Sequence, residues 1–225
     1  MPRALALVHQ LASASVLPGT IGTALREQGY EVEVASFLEG PVRSLDGVDA
    51  LVVLGSAHTS DDEPWIAPEL AYLARAVARD VPVLGVCFGA QALARVLGGT
   101  VYRAPRPERG FVEVSGRLPA RRWAAFHYDA FTLPPGGEAL ARNPVGLQAF
   151  GHGPHLGVQF HPEVTPAVLE AWSAGWTPAQ RAELVGETEL ATFAAELAER
   201  AAECAAACRA LVAGFLARSE ARAAA

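Results

Sequence analysis

Hydrophobic and polar positions follow two rhythms along the first hundred residues. Arg3 to His9 (RALALVH) is a short, nearly unbroken apolar run, which predicts a buried strand. A Pro18-Gly19 break follows, and Thr20 to Gln28 then carries a helical pattern that stops at Gly29, a residue suited to a helix C-terminus. Tyr30 to Phe37 (YEVEVASF) alternates polar and apolar residues, as a half-buried strand does. Asp49 to Gly55 predicts a third strand running into a glycine turn. Trp65 to Arg79 predicts an amphipathic helix, Val81 to Val86 a fourth strand, and Phe88 to Leu97 a helix closed by Gly98-Gly99. Strands that alternate with helices in this way predict a parallel sheet covered on both faces. From Thr100 to about Phe160 the pattern changes. The runs VYR, FVEVSG, WAAFH, LQAFG and HLGVQF are short, separated by Pro and Gly turns, and read as antiparallel.

The expected fold is therefore α/β, a flavodoxin-like open sandwich. Its central sheet is mostly parallel with helices on both faces, and a small antiparallel β-layer is added to it. Residues 1–225 read as one domain, with 176–225 a helical extension packed on it. In that extension Leu190, Phe193, Leu197, Ala201, Cys204, Cys208, Leu211 and Phe215 recur at helical spacing, as one stripe of a long helix or a helix pair. Packing on the sheet is the favoured use of that stripe, and a homodimer interface is the other.

Composition narrows the chemistry. The 225 residues are 51% hydrophobic and 19% charged, which is globular rather than disordered. All 18 basic residues are arginines, which excludes a phosphate-binding loop or a Schiff base that depends on lysine. A net charge of −6 argues against a nucleic-acid partner. The run Ala4 to Val8 is too short for a signal-peptide core or a membrane span, and three cysteines suggest a reducing compartment, so a cytoplasmic location without membrane attachment is expected.

The sharpest local signal is Gly85-Val86-Cys87-Phe88-Gly89-Ala90-Gln91. A buried strand ends at Val86 and a helix starts just after Cys87. A lone cysteine would read as a small core residue. Flanking glycines at a strand-to-helix junction point instead to a nucleophile on a sharp turn, the cysteine counterpart of the Gly-x-Ser-x-Gly elbow. The helix N-terminus favours an anion at that place. The motif by itself leaves several hydrolase classes open.

A thiolate nucleophile needs a proton carrier and a group that orients it. Of the six histidines (His9, His58, His127, His152, His155 and His161) only the last sits in a matching setting, Gly157-Val158-Gln159-Phe160-His161-Pro162-Glu163. Residues two apart on an extended segment share a side, so Glu163 is expected to reach the ring of His161. His152 and His155 are spaced like metal ligands but read as the ends of a Gly-Pro hairpin, and no metal or cofactor is expected. Cys204 and Cys208 are expected to face the core.

The cysteine elbow and the His-Pro-Glu segment together resemble the class I glutamine amidotransferases, with their Cys-His-Glu triad. Further pieces are similar and in the same order: Leu51 to Ser56, Asp61-Asp62-Glu63-Pro64-Trp65-Ile66, His127-Tyr128-Asp129, Gln148-Ala149-Phe150 and the tail from Cys208 to Leu216. The last is like the end of stand-alone members similar to the amidotransferase domain of GMP synthase. The chain departs from the family pattern at Ser56-Ala57, where Gly and Pro are usual, and at Tyr128, where Gly is common.

The resemblance implies Cys87, His161 and Glu163 as catalytic residues. It implies an oxyanion site made by the amides of Phe88 and Ser56, or Gly55 in place of Ser56. Gln91, His127, Tyr128 and Asp129 are implied as contacts to the substrate's α-substituents. The implied substrate is glutamine or another γ-glutamyl small molecule, attacked through a cysteine thioester. The implied partner is a separate synthase subunit that takes the ammonia. A free-standing γ-glutamyl hydrolase, a catalytically silent partner-binding relative, and a cysteine hydrolase of the protease or chaperone branch are the alternatives. The intact triad disfavours the silent relative, and the distance in sequence from Cys87 to His161 disfavours the protease branch.

Overall fold

A computed structural model describes residues 1–10, 16–57, 63–174, 176–177 and 187–223. The expectations placed on His58, on Asp61 and Asp62, and on most of 175–186 lie outside the described residues. In chain order the elements are β1 (Arg3–Leu7), α1 (Gly19–Glu27), β2 (Glu31–Ala35), β3 (Ala50–Val53), α2 (Ile66–Ala78), β4 (Val83–Val86) and α3 (Phe88–Val96). There follow β5 (Val101–Glu113), β6 (Ser115–Gly116), β7 (Arg122–Phe131), β8 (Glu138–Arg142), β9 (Leu147–His152) and β10 (His155–Val158). The last helices are α4 (Pro166–Ala174), α5 (Glu187–Glu199) and α6 (Ala201–Ala223).

The main sheet has the order β2-β1-β3-β4-β10-β9-β8-β6. Its first five strands are parallel neighbours, in the flavodoxin-like order, and β9, β8 and β6 extend it antiparallel. Composition explains the order. Every residue of β3 and β4 is buried, as their fully apolar sequences require at the centre of a parallel sheet. The alternating strand Glu31–Ala35 lies at the edge, with its glutamates outward.

Alternation within the strands divides the core. Ala4, Ala6, Ala50 and Val52 pack with Ile21 and Leu25 of α1 and with Cys208, Leu211 and Phe215 of α6. Leu5, Leu7, Leu51 and Val53 face the other way, onto Tyr72 and Leu73 of α2 and Leu93 of α3. Helices thus cover both faces, as the sequence leads one to expect.

Three features differ from the sequence reading. The runs VYR and FVEVSG are not separate strands. VYR and the FVE of the second run are joined in β5, which pairs with β7 as a separate two-stranded ribbon with a register shift between Arg103 and Glu108, while Ser115-Gly116 forms β6 of the main sheet. The two prolines of that stretch, Pro105 and Pro107, fall inside the shift, where the ladder does not need their missing donors. Second, the run HLGV is antiparallel to β9 but parallel to β4, so it belongs to the main sheet. Third, β8 and α4 have no counterpart in the pattern.

The C-terminal stripe belongs to a helix pair and serves two cores. Phe193 and Leu197 pack with Val164, Val168 and Leu169. Cys208, Leu211 and Phe215 are buried against the sheet and α1. Ala201, between the two sets, is exposed. These apolar residues are therefore covered by their own chain. Cys208 is buried, and that burial pushes its thiol well above the usual range. Cys204 is only half-buried and does not fully join the core.

Phe215 is fully buried and has no polar duty, so Phe215→Ala is expected to lower stability by about 3–5 kcal/mol, read from the urea unfolding midpoint at constant slope.

Candidate active site

Cys87 stands between β4 and α3 in a backbone conformation that side chains rarely adopt, with φ 52° and ψ −109°. A non-glycine residue held there stores roughly 1–3 kcal/mol of strain. The neighbours make the turn possible. A Cβ on Gly85 would lie 2.5 Å from the carbonyl oxygen of Gly89, and a Cβ on Gly89 would lie 1.9 Å from that of Val53. The helix therefore leaves the strand in direct contact with its own turn and with β3. The Cys87 amide donates to the Val158 carbonyl at 2.8 Å, which ties the elbow to β10.

That strand delivers the histidine. β10 ends at Val158, and the His161 amide donates to the Ala124 carbonyl of β7 at 2.7 Å. His161 Nδ1 lies 2.7 Å from Glu163 Oε1, and both residues are buried. The expected partnership is present, but its geometry is not that of an extended strand: residues 162–163 form a turn. The turn is held from outside. The Glu163 carbonyl accepts from the Thr20 amide at 3.1 Å, and Gly19, at φ 48°, sits where a Cβ would come within 2.1 Å of the same oxygen. The Pro18-Gly19 break thus seats Glu163 on the first turn of α1.

The thiol and the imidazole meet beside Gly55. A Cβ on Gly55 would lie 2.9 Å from His161 Cε1 and 3.6 Å from Cys87 Cβ. Burial alone would lower the basicity of His161. The Glu163 carboxylate and then Cys87, by charge and by side-chain hydrogen bond, outweigh it and raise the pKa to about 10. The ring is therefore an imidazolium at neutral pH, aimed between a carboxylate and a sulfur. The Trp172 ring packs against it in a T-shaped contact, with the ring centres 4.7 Å apart.

The remaining expected site residues fall into three groups. Gly55 and Ser56 lie on the loop after β3, with Gly55 beside Cys87, and Phe88 directly follows Cys87. Phe88 opens α3, so its amide has no acceptor one turn earlier in the helix. Gln91 is buried and donates to the Asp129 carbonyl and to Gln159 Oε1, both at 3.3 Å. His127 is buried too, with Nδ1 3.0 Å from the Asp129 carbonyl and Nε2 3.0 Å from Glu108. Glu108 also accepts from Asn143 and Gln148, each at 2.7 Å. Burial pushes the Glu108 carboxyl up, but its bonds to His127, Asn143 and Gln148 outweigh this and leave it lowered. Gln91 and His127 thus brace β7 from within.

Tyr128 lies on the other side of β7, with Phe126. The Arg103 and Arg109 guanidiniums stand 4.8 Å and 5.1 Å from the centre of its ring, and Arg109 donates to its hydroxyl at 2.8 Å. Arg103 also pairs with Asp129 Oδ1 at 3.3 Å. The Phe126 carbonyl is 3.8 Å from Cys87 Sγ, and its ring stacks on Trp176. Tyr128, Arg103 and Arg109 thus form an aromatic and guanidinium wall along the strand whose Phe126 carbonyl lies beside Cys87. Sequence reasoning missed Arg103, Arg109, Glu108 and Trp172, whose roles depend on pairings far apart in the chain. It also missed His9 and Glu69, a buried pair beside Gly55. His152 and His155 face each other across the β9–β10 hairpin, as expected. Among the described residues no cluster of three or more His, Cys, Asp or Glu could hold a metal ion, and no helix is long and apolar enough to cross a membrane.

The sequence model of the family described as glutamine amidotransferase class-I matches residues 19–171, a span that holds the elbow, the histidine and the glutamate. The chain belongs to the class-I glutamine amidotransferases. The "GMP synthase [glutamine-hydrolyzing]" of Aeropyrum pernix is 35% identical over 175 residues, covering 68% of this amidotransferase chain and 33% of the synthase. The chain thus spans about a third of that relative's length. A subunit of the glutamine-hydrolyzing GMP synthase of Thermoplasma volcanium is 34% identical over 160 residues, covering 62% of this chain and 74% of its own length. In fold, the amidotransferase chain resembles the solved glutamine amidotransferase of Thermotoga maritima, with a TM-score of 0.83, 23% identity, and 95% and 97% of the two chains covered.

The raised His161 pKa has a consequence for stability. An unfolded histidine loses its proton near pH 6.5, whereas His161 keeps it to about pH 10. Its contribution is whole below about 6.5, declines across that window and is gone above about 10. The urea midpoint of the native chain is therefore expected to fall between pH 7 and pH 10 more steeply than that of Glu163→Gln, which lacks the charge that raises the pKa. Parallel pH profiles would contradict this.

Proposed function

We propose that this protein hydrolyses the γ-amide of glutamine or of a γ-glutamyl compound through a thioester on Cys87. The observation that carries the reading is the meeting of a strained cysteine elbow with a buried, hydrogen-bonded His161–Glu163 pair. The Cys87 sulfur attacks the amide carbon, and a carbon–sulfur bond forms as the carbonyl becomes a tetrahedral oxyanion. The amides of Phe88 and Ser56 receive that charge. His161 gives its proton to the leaving nitrogen, the carbon–nitrogen bond breaks, and ammonia or an amine departs. His161, now neutral, takes a proton from water as the water attacks the thioester. Glutamate leaves and the sulfur returns to its starting state. Glu163 holds Nδ1 and stabilises the positive ring each time it is protonated.

The names of the relatives support a coupling to synthesis, in which the ammonia passes to a separate synthase subunit. A second reading is favoured by Tyr128 and its two arginines, where the family commonly has glycine. That wall suits a γ-glutamyl compound with more bulk or negative charge than glutamine, hydrolysed without a partner. The two readings separate by rate: a synthase-linked subunit is slow alone and accelerates with its partner, whereas a hydrolase turns over alone and prefers a substituted amide.

Cys87→Ala is expected to abolish release of ammonia or amine from γ-glutamyl substrates while the circular dichroism spectrum is kept. Glu163→Gln is expected to slow turnover by one to several orders of magnitude, roughly 10–10⁴-fold, with the fold kept. Full activity in the first variant overturns the assignment, and an unchanged rate in the second removes Glu163 from the mechanism.

A further inference from the structure

His9 stands two residues beyond the end of β1, beside the loop that leaves β3. The register pairs Leu7 with Val53, and the Leu54 amide donates to the Leu7 carbonyl at 3.1 Å. His9 Nδ1 lies 2.9 Å from the Gly55 carbonyl oxygen. Its Nε2 lies 3.0 Å from both carboxylate oxygens of Glu69, which projects from α2. The two side chains are each 1% exposed. The imidazole is boxed by the rings of Trp65 at 4.8 Å and Phe88 at 5.1 Å.

Hydrogen-bond chemistry fixes the protons. A carbonyl oxygen only accepts, so Nδ1 carries a hydrogen. The other nitrogen and the Glu69 carboxylate share one more proton, whichever of them holds it. A buried carboxylate is not left alone in such a place, and a buried imidazolium is not either.

The consequence lies on the far side of the peptide. The Gly55 carbonyl and the Ser56 amide belong to one planar trans unit, so they point in opposite directions. Holding the oxygen toward His9 aims the N–H away from it. The space that a Gly55 side chain would fill is bounded by Cys87 Cβ and His161 Cε1, so this peptide borders both residues. We propose that the buried His9–Glu69 pair is a positioning device that sets the Gly55–Ser56 peptide so that the Ser56 amide meets the oxyanion. The inference rests on the thioester reading above. The same ring packs on Phe88, the source of the second amide, so one imidazole braces both donors. The arrangement also accounts for a loop that works with Ser at position 56: the peptide is locked by a buried side chain and does not depend on the residue's own backbone freedom.

The test uses the full chain, with L-glutamine and γ-glutamyl-p-nitroanilide as substrates. His9→Leu/Glu69→Met removes both members at once, which leaves no buried charge unpaired. His9→Asn/Glu69→Gln keeps a side-chain N–H where Nδ1 was. Loss of one oxyanion donor lowers kcat by about 10²–10³-fold, and the apolar double variant is expected to lose about 100-fold in kcat with KM changed less than about threefold. Alkylation of Cys87 by iodoacetamide, followed by peptide mass spectrometry, is expected to keep its native rate, because that reaction forms no oxyanion. The amide-bearing double variant is expected to recover at least about tenfold of the lost kcat. Near-native kcat in the apolar variant overturns the proposal, and so does a fall in alkylation that matches the fall in kcat. Nitrogen-15 NMR of the native protein gives a readout apart from turnover: His9 Nδ1 is expected to be protonated at neutral pH, and a bare Nδ1 overturns the proposal. If the native chain turns over neither substrate, the hydrolase reading fails, and the Nδ1 proton still decides whether the peptide is held as described.

Discussion

The organisation of this molecule depends on the crossing at Cys87, where a buried strand becomes a helix with no residue to spare. The cysteine adopts a backbone conformation that its side chain disfavours, and it is held there by contact on both flanks. Gly85 lies against the backbone of Gly89, and Gly89 lies against β3. Any side chain at either position would drive α3 away from the sheet. The strain is supported by the packing of β3, β4 and α3, among the most deeply buried elements of the chain. The sulfur is thereby fixed at the carboxyl end of the parallel strands, beside the N-terminus of a helix, where open α/β sheets bind their ligands.

The histidine side of the candidate site is assembled on different physical terms. His161 and Glu163 arrive on the turn after β10, a strand that touches β4 on one side and β9 on the other. The positive charge of the ring is buried, and it persists because the Glu163 carboxylate and the Cys87 sulfur outweigh the desolvation. The carbonyl of Glu163 is in turn held by the first turn of α1. Behind the elbow, the His9–Glu69 and His127–Glu108 pairs repeat the same device, a buried imidazole bridging a carboxylate and a backbone carbonyl. Each of these pairs joins elements distant in sequence, so the site's precision comes from buried polar pairs set in an apolar frame.

The features legible in the sequence are those carried by local pattern. Fully apolar runs mark β3 and β4, the alternation of Tyr30–Phe37 marks an edge, and Gly-x-Cys-x-Gly marks the elbow, because each depends on a few neighbouring residues. Features set by pairing over long distances are hidden. The proline-bearing stretch Val101–Glu113 reads as broken, yet it is one strand, because the register shift falls on the prolines. His9 reads as the end of a strand and Glu69 as one more polar residue of a helix. Only the meeting of β1, β3 and α2 gives them a shared role. The His161–Glu163 contact was legible, but the turn that makes it was not, since it is held by the Thr20 amide, far upstream in the chain, across the space that Gly19 leaves open.

The central claim is that Cys87 is an acyl-forming nucleophile for γ-glutamyl carbonyl compounds. It is tested most directly by incubating the native chain with the glutamine-analogue electrophile diazo-oxo-norleucine and mapping the adduct by peptide mass spectrometry. The account predicts a single adduct on Cys87, suppressed by excess glutamine and absent from a His161→Ala variant at neutral pH. An unlabelled Cys87, or labelling spread over Cys204 and Cys208 at equal rate, would contradict it.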